Sequence, residues 1–196
     1  MKKVELQVYA ISHSITQTQS YAVVLEEVNG VRKIPIVIGA FEAQAIAVAL
    51  ERMKPQRPLT HDLMRNLMIA FDLKLHEVVI YDLQEGVFYS KLICSSENDT
   101  VEIDSRTSDA LALAVRFGCP IYTSEEIMEG AGVILENEGG ERPEKRELEL
   151  TGPAESSEDL KSMSTEDLET LLNDVLEQED YIRAIAIRDE LSGRKK

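Results

Sequence analysis

The stretch RPLTHDLM puts Arg57, Thr60, His61 and Asp62 within six residues. An arginine offers a planar fork of donors that fits a phosphate. A histidine titrates near neutral pH and can take or give a proton. An aspartate is a hard oxygen ligand for Mg²⁺ or Mn²⁺. Together they are equipment for cleaving a phosphate ester. A purely structural explanation competes. Thr60 is a good N-cap, Asp62 in the first turn suits the helix dipole, and Pro58 keeps Arg57 extended. Capping accounts for neither His61 nor Arg57.

A second packet, IDSRTSDALALA, repeats the residue types. Asp104 and Arg106 close a strand, and Ser108 and Asp109 open a helix. Here capping by Ser105 or Thr107 is the structural alternative. Glu42 adds a third carboxylate in the first turn of a helix within IGAFEAQAIA. If the three junctions met, Glu42, Asp62, Asp104 and Asp109 would hold a divalent cation. Arg57, Thr60, Arg106 and Ser108 would bind phosphate. His61 and Asp62, with Arg57 and Arg106, would be catalytic, in a metal-assisted phosphodiester hydrolysis.

The elements that must position these residues are legible in the hydrophobic periodicity. VELQVYA alternates as a strand, and SYAVVLEEV and RKIPIVIG flank Asn29-Gly30 as a hairpin with a type I′ turn. Pro35 marks an edge position or a bulge. A helix follows with Ala43, Ile46, Ala47 and Leu50 on one face. A second starts at Thr60 with Leu63, Leu67, Ala70 and Phe71 facing inward. KLHEVVIYDL, GVFYSKLICSS and TVEIDS are three more strands, with a turn near residues 84–86. TSDALALAVRFG is a helix stopped by Gly118, with Ala110, Leu113, Ala114 and Phe117 inward. PIYT is a short strand and SEEIMEG a short capped helix. Strands and helices in runs predict an α+β domain over residues 1–135 with a mixed, mostly antiparallel sheet and packed helices. Residues 136–162, rich in Glu, Gly, Pro and Ser, read as a flexible acidic linker. Residues 163–196 read as an α-helical hairpin capped by Ser164 with Asp167. Leu168, Leu171, Leu172 and Val175 share one face, and Tyr181, Ala184, Ile185 and Arg188 another. Such a hairpin is too small to stand alone, so it must dimerise or dock.

The formal net charge is -15, with -8 in residues 1–140 and -7 in residues 141–196. Neither half has the positive balance of a protein that grips a phosphate backbone over a wide surface. No apolar run is long enough to span a membrane, and MKKVELQVYAIS lacks the continuous apolar stretch of a signal peptide. Cys94 and Cys119 lie far apart in apolar segments, which reads as two small buried hydrophobes in a reducing cytoplasm. Gly132 and the Gly139-Gly140 pair do not fit a P-loop, which argues against nucleoside triphosphate hydrolysis.

In order, PIVIGAFEAQAIAVAL, RPLTHDLM and IDSRTSDALALAVRFGCPIY resemble three signature blocks of the bifunctional nuclease domain family. The resemblance covers roughly residues 4–135. It implies a mixed α/β fold and nuclease activity on RNA and DNA. Glu42, Arg57, Pro58, Thr60, His61, Asp62, Asp104, Arg106, Ser108 and Asp109 match the blocks. Ser105 and Thr107 stand where the third block usually carries alanine and proline, which implies a less rigid turn. LETLLNDVLEQEDYIRAIAIRDEL resembles the UVR motif of the bacterial excision-repair proteins UvrB and UvrC. That implies protein pairing through Leu168, Leu172, Val175, Tyr181, Ala184 and Arg188, with a protein partner or a homo-oligomer. Asp174 and Ile185 depart from it, alanine being usual at both. The two resemblances together imply a bacterial cytoplasmic protein.

The expected function is therefore a nuclease with a Mg²⁺ or Mn²⁺ cofactor and a partner-binding hairpin. The alternative is a non-enzymatic scaffold whose polar junctions are caps, ion pairs or a seat for a small anion. Hydrolysis of a small phosphate ester is a third reading.

Overall fold

The computed structural model describes residues 2–13, 20–97, 99–134, 160, 163–177 and 180–194. Nearly all of the acidic linker expected at 136–162 lies outside them. The chain runs β1 (Lys3–His13), β2 (Ser20–Glu27), β3 (Arg32–Gly39), α1 (Ala40–Leu50), α2 (Thr60–Ala70), β4 (Lys74–Gln84), β5 (Val87–Ser95), β6 (Thr100–Arg106), α3 (Thr107–Phe117), β7 (Ile121–Ser124), α4 (Glu125–Ala131) and β8 (Val133–Ile134). The last two helices are α5 (Thr165–Glu177) and α6 (Tyr181–Arg194). The architecture is α+β.

The strands form one sheet in the order β6-β5-β4-β7-β1-β2-β3-β8. Every pairing is antiparallel except β4 with β7. Strand β7, the shortest strand expected from sequence, joins the two halves, pairing β4 on one side and β1 on the other. Strand alternation sends Ile34, Ile36 and Ile38 of β3 and Leu92 and Cys94 of β5 into the core beneath α1 and α3. Both helices bring small residues to that contact, Ala43 and Ala47 from α1 and Ala110 and Ala114 from α3, all buried. Pro35 pairs with Val24 beyond the reach of two-residue β8, so its missing N–H faces an open edge. Gly118 takes the left-handed conformation, φ 66°, and ends α3.

Three expectations are corrected. The Asn29-Gly30 connection is not a type I′ turn, because neither residue has positive φ. Residues 28–31 loop across instead, with Gly30 N–H on the Glu27 carbonyl at 3.3 Å. The two-residue turn with both φ positive is Glu85-Gly86, φ 50° and 82°, between paired Gln84 and Val87. Leu59, not Thr60, is the N-cap of α2. Its own N–H is held by Asp62 Oδ2 at 3.0 Å. The face of α2 expected inward is also exposed, with Leu63 at 64%, Leu67 at 56% and Phe71 at 69%. α1 and α3 already cover the sheet, so α2 lies along α3 and buries Met68 alone.

The hairpin does not stand apart. Leu168, Val175, Ala184, Ile187 and Leu191 pack together between α5 and α6. Ser164 Oγ accepts the Asp167 N–H at 3.1 Å, as the capping pattern predicts. α6 then lies on α1. Ile185 is fully buried in the main core, and Arg188 Nη2 donates to Glu51 Oε2 at 2.8 Å.

Candidate functional site

The N-termini of α1, α2 and α3 converge on one cleft of about 640 Å³, walled by Phe41, Glu42, Pro58, His61, Arg106, Asp109 and Tyr181. Each helix contributes from its first turn because that is where sequence places the polar residues. Convergence also turns three sets of unpaired backbone N–H groups toward the same region, an environment that favours an anion.

Asp109 organises the cleft. His61 Nε2 lies 3.0 Å from Asp109 Oδ1. Arg106 donates Nε–H to Asp109 Oδ2 at 2.7 Å and Nη2–H to Oδ1 at 3.1 Å. Partial burial pushes the Asp109 carboxyl up, but the hydrogen bonds and charges of Arg106 and His61 outweigh it. Asp109 therefore titrates below the ordinary aspartate range. An ionised carboxylate only accepts, so His61 carries its hydrogen on Nε2 and leaves Nδ1 as the basic nitrogen. Arg106 Nη1 also meets Glu42 Oε1 at 2.9 Å. Gly39 makes room for that arm, since a Cβ there would collide with the Glu42 carboxylate. Asp109 and Glu42 keep the guanidinium firmly protonated. Three of the guanidinium's five N–H groups are taken, and its side chain is 68% exposed, so two remain for a ligand.

Asp62 goes elsewhere. Its Oδ1 accepts from Arg116 Nε at 2.6 Å, and Arg116 is only 4% exposed. Arg116 Nη1 also donates to the carbonyls of Ala45 at 2.8 Å and Ala112 at 3.0 Å. One arginine thereby ties α1, α2 and α3 together behind the cleft. Arg116 was missed from sequence. Its signal was the lone charge in ALALAVRF, the apolar remainder of α3 after Asp109.

The other expected residues scatter. Asp104 takes the Tyr81 hydroxyl at 3.2 Å on β6. Arg57 is exposed on the loop before Pro58, Thr60 is exposed at the cleft rim, and Ser108 is buried. The four carboxylates expected to hold a cation thus do not form one ligand set. Asp62 is committed to Arg116, Asp104 to Tyr81, and Glu42 and Asp109 to Arg106. Among the described residues no group of three or more His, Cys, Asp or Glu side chains is arranged to hold a metal ion. At Thr107, the expected loosening of the turn is offset. The hydroxyl donates to the Phe88 carbonyl at 2.9 Å and pairs with Ser90 Oγ at 2.7 Å, pinning the start of α3 to β5.

Of the residues expected to bind a partner, Leu168, Val175 and Ala184 fill the hairpin's own core, and Leu172 packs against it. Arg188 is paired with Glu51 and Asp189. Tyr181, 4% exposed, is instead a wall of the cleft. Cys94 and Cys119 are free thiols, and burial pushes both up in pKa, Cys119 to about 11. No helix among the described residues is long and apolar enough to cross a membrane.

The chain belongs to the bifunctional nuclease domain family, whose model matches residues 23–136. That span contains all three helix starts of the cleft. Two proteins of Mycobacterium tuberculosis, each called uncharacterized, from strains CDC 1551 and H37Rv, are 42% identical to it over 136 residues. The matched part is 69% of this chain and 81% of each relative.

Proposed function

We propose that this protein hydrolyses phosphodiester bonds of RNA or DNA in the cleft at the three helix N-termini. The observation that carries the reading is the His61–Asp109 pair, 3.0 Å apart and open to a cleft that also holds Arg106. Family membership supports the same chemistry. In the proposed step the scissile phosphate lies against the free N–H groups of Arg106 and the helix amides. His61 Nδ1 takes a proton from the water whose oxygen bonds to phosphorus, the P–O bond to the leaving sugar oxygen breaks, and that oxygen takes up a proton from solvent. Asp109 holds the resulting imidazolium through Nε2, and Arg106 meets the charge that builds on phosphorus oxygens. Glu42 positions Arg106 from the other side. Every step falls to these side chains and helix amides, since the carboxylates among the described residues are not arranged to hold a metal ion.

The net charge of -15 supports short or single-stranded substrates over a long duplex grip. It also supports the competing reading, a non-enzymatic seat for a small anion. For the hairpin, we propose service in cis as a cleft wall. Its last helix is laid on α1, with Ile185, where the resembled UVR motif has alanine, buried in the main core while Leu168, Val175 and Ala184 pack inside the hairpin.

Labelled RNA and DNA oligonucleotides, incubated with Mg²⁺, with Mn²⁺ and with chelator, test the proposal beside a His61→Ala variant purified in parallel. Cleavage by wild type that the variant lacks is expected. Cleavage of equal rate by both, or none by either, rejects His61 as the base. Chelator decides whether a cation is required.

A further inference from the structure

Arg106 lines a second cleft, of about 400 Å³, on the side away from His61. The sheet curls so that Pro35 and Val37 of β3 face Val87 and Tyr89 of β5, with Asp104 and Arg106 of β6 closing one side. Apolar side chains stay uncovered here, with Val37 and Val87 each 56% exposed and Tyr89 37%. Val37 sits on the sheet face opposite the core isoleucines of β3, so it contributes nothing to the main core. Tyr81 packs its ring 6.4 Å from Tyr89, tilted, and its hydroxyl donates to Asp104 Oδ1 at 3.2 Å. A carboxylate is therefore held at the edge of an apolar, aromatic slot, next to the arginine that faces the proposed phosphate.

We propose that this second cleft binds the base flanking the scissile phosphate, and that the base it selects is guanine. The inference rests on the nuclease reading for its substrate. Slot walls of tyrosine, valine and proline accept the flat face of any base. Selection comes from Asp104. An ionised carboxylate is acceptor-only, so it pairs with a base edge that carries two adjacent donors. Guanine presents N1–H and N2–H side by side. Adenine and cytosine place a ring-nitrogen acceptor beside their amino group, and uracil and thymine place carbonyls on both sides of N3–H. Each of those edges sets a lone pair against the carboxylate. Continuity with the first cleft runs through Arg106, which binds the phosphate between the two. The bulk charge of the protein does not oppose this contact, because a base edge is neutral.

The test titrates full-length protein separately with GMP, AMP, CMP and UMP, and follows Tyr81 and Tyr89 by NMR or intrinsic fluorescence. Cleavage of oligonucleotides with and without guanine is measured in parallel. GMP is expected to bind about tenfold more tightly than the others. Asp104→Asn should erase that preference while leaving weak binding of all four, and Tyr89→Ala should weaken all four about tenfold. Asp104 is exposed and Asn is isosteric, so this variant tests selection without a folding penalty. Equal affinities for the four nucleotides, or a preference that survives Asp104→Asn, overturns the inference. Oligonucleotide cleavage that ignores guanine also overturns it while leaving the nuclease reading in place. GMP preference lost in Asp104→Asn, with no oligonucleotide cleaved, keeps the base site and rejects the nuclease reading.

Discussion

Arg106 and Arg116 bracket α3, and each pairs with a carboxylate from another helix, Glu42 of α1 and Asp62 of α2, yet their surroundings differ. Arg106 is 68% exposed, shared between Glu42 and Asp109, with N–H groups left over. Arg116 is 4% exposed, donates Nε–H to Asp62 and Nη1–H to two backbone carbonyls, and keeps Nη2 buried without a hydrogen-bond partner among the described residues. Sequence neighbours His61 and Asp62 part by direction and not by exposure, His61 being 13% and Asp62 30% exposed. One faces the cleft and the other faces the helix junction. Residue type is equal in the two regions, and what each side chain faces, a cleft or a helix junction, divides a group that can meet a substrate from one that holds the scaffold.

His61→Ala breaks the cleft side of this comparison hardest. Turnover should fall about 10²- to 10⁴-fold, while urea unfolding should register only the loss of one hydrogen bond, about 1 kcal/mol. A stability loss large enough to account for the lost activity would show that His61 is scaffold too. Asp62→Asn tests the other side. It keeps a cap acceptor for Leu59 N–H but strands the buried Arg116 charge, which should cost about 3 kcal/mol in urea unfolding. Adding Arg116→Met should recover most of that loss, because both charges are then gone. A stable Asp62→Asn protein that has lost turnover would instead place Asp62 in the chemistry.

Acid titration sharpens the comparison further. Asp109 titrates below its ordinary range, so its pairing stabilises the fold above the unfolded carboxyl value, about pH 4. That contribution is lost as the pH falls through the lower native value. The stability gap between wild type and Asp109→Asn should therefore be full at neutral pH and close progressively in acid. A gap independent of pH would mean that the ionised form is not what Arg106 and His61 hold. The smallest effect belongs to the hairpin cap. Ser164→Ala should cost about 1 kcal/mol, read as earlier thermal fraying of α5. No change in helix signal would show that the cap adds nothing to the docked hairpin.

Periodicity located the strands, the helices and their polar starts well, because alternation and helical spacing are local properties of the chain. Element faces were less legible. Leu63, Leu67 and Phe71 mark an apolar stripe on α2, yet which stripe is covered depends on α1 and α3 having taken the sheet first. The Asn29-Gly30 pair is the stronger turn signal, but the strand register leaves a four-residue loop there and gives the tight turn to Glu85-Gly86. The cleft residues Glu42, His61, Arg106 and Asp109 were all named from sequence. Asp62 and Asp104 were named with them because a carboxylate in a helix start or strand end looks the same whether it faces that cleft, an arginine or a tyrosine hydroxyl.

The sequence by itself determined that this is an α+β chain of the bifunctional nuclease domain family with polar residues at three helix starts. It also determined the hairpin and its Ser164 cap. Tertiary structure decided the rest. It chose which carboxylates meet Arg106 and which meet Arg116 and Tyr81. It laid the hairpin on α1 so that Tyr181 walls the cleft, and it curled β3 toward β5 and β6 to make the second cleft. These are contacts between residues dozens of positions apart, set by packing of one surface on another, and no local spacing encodes them.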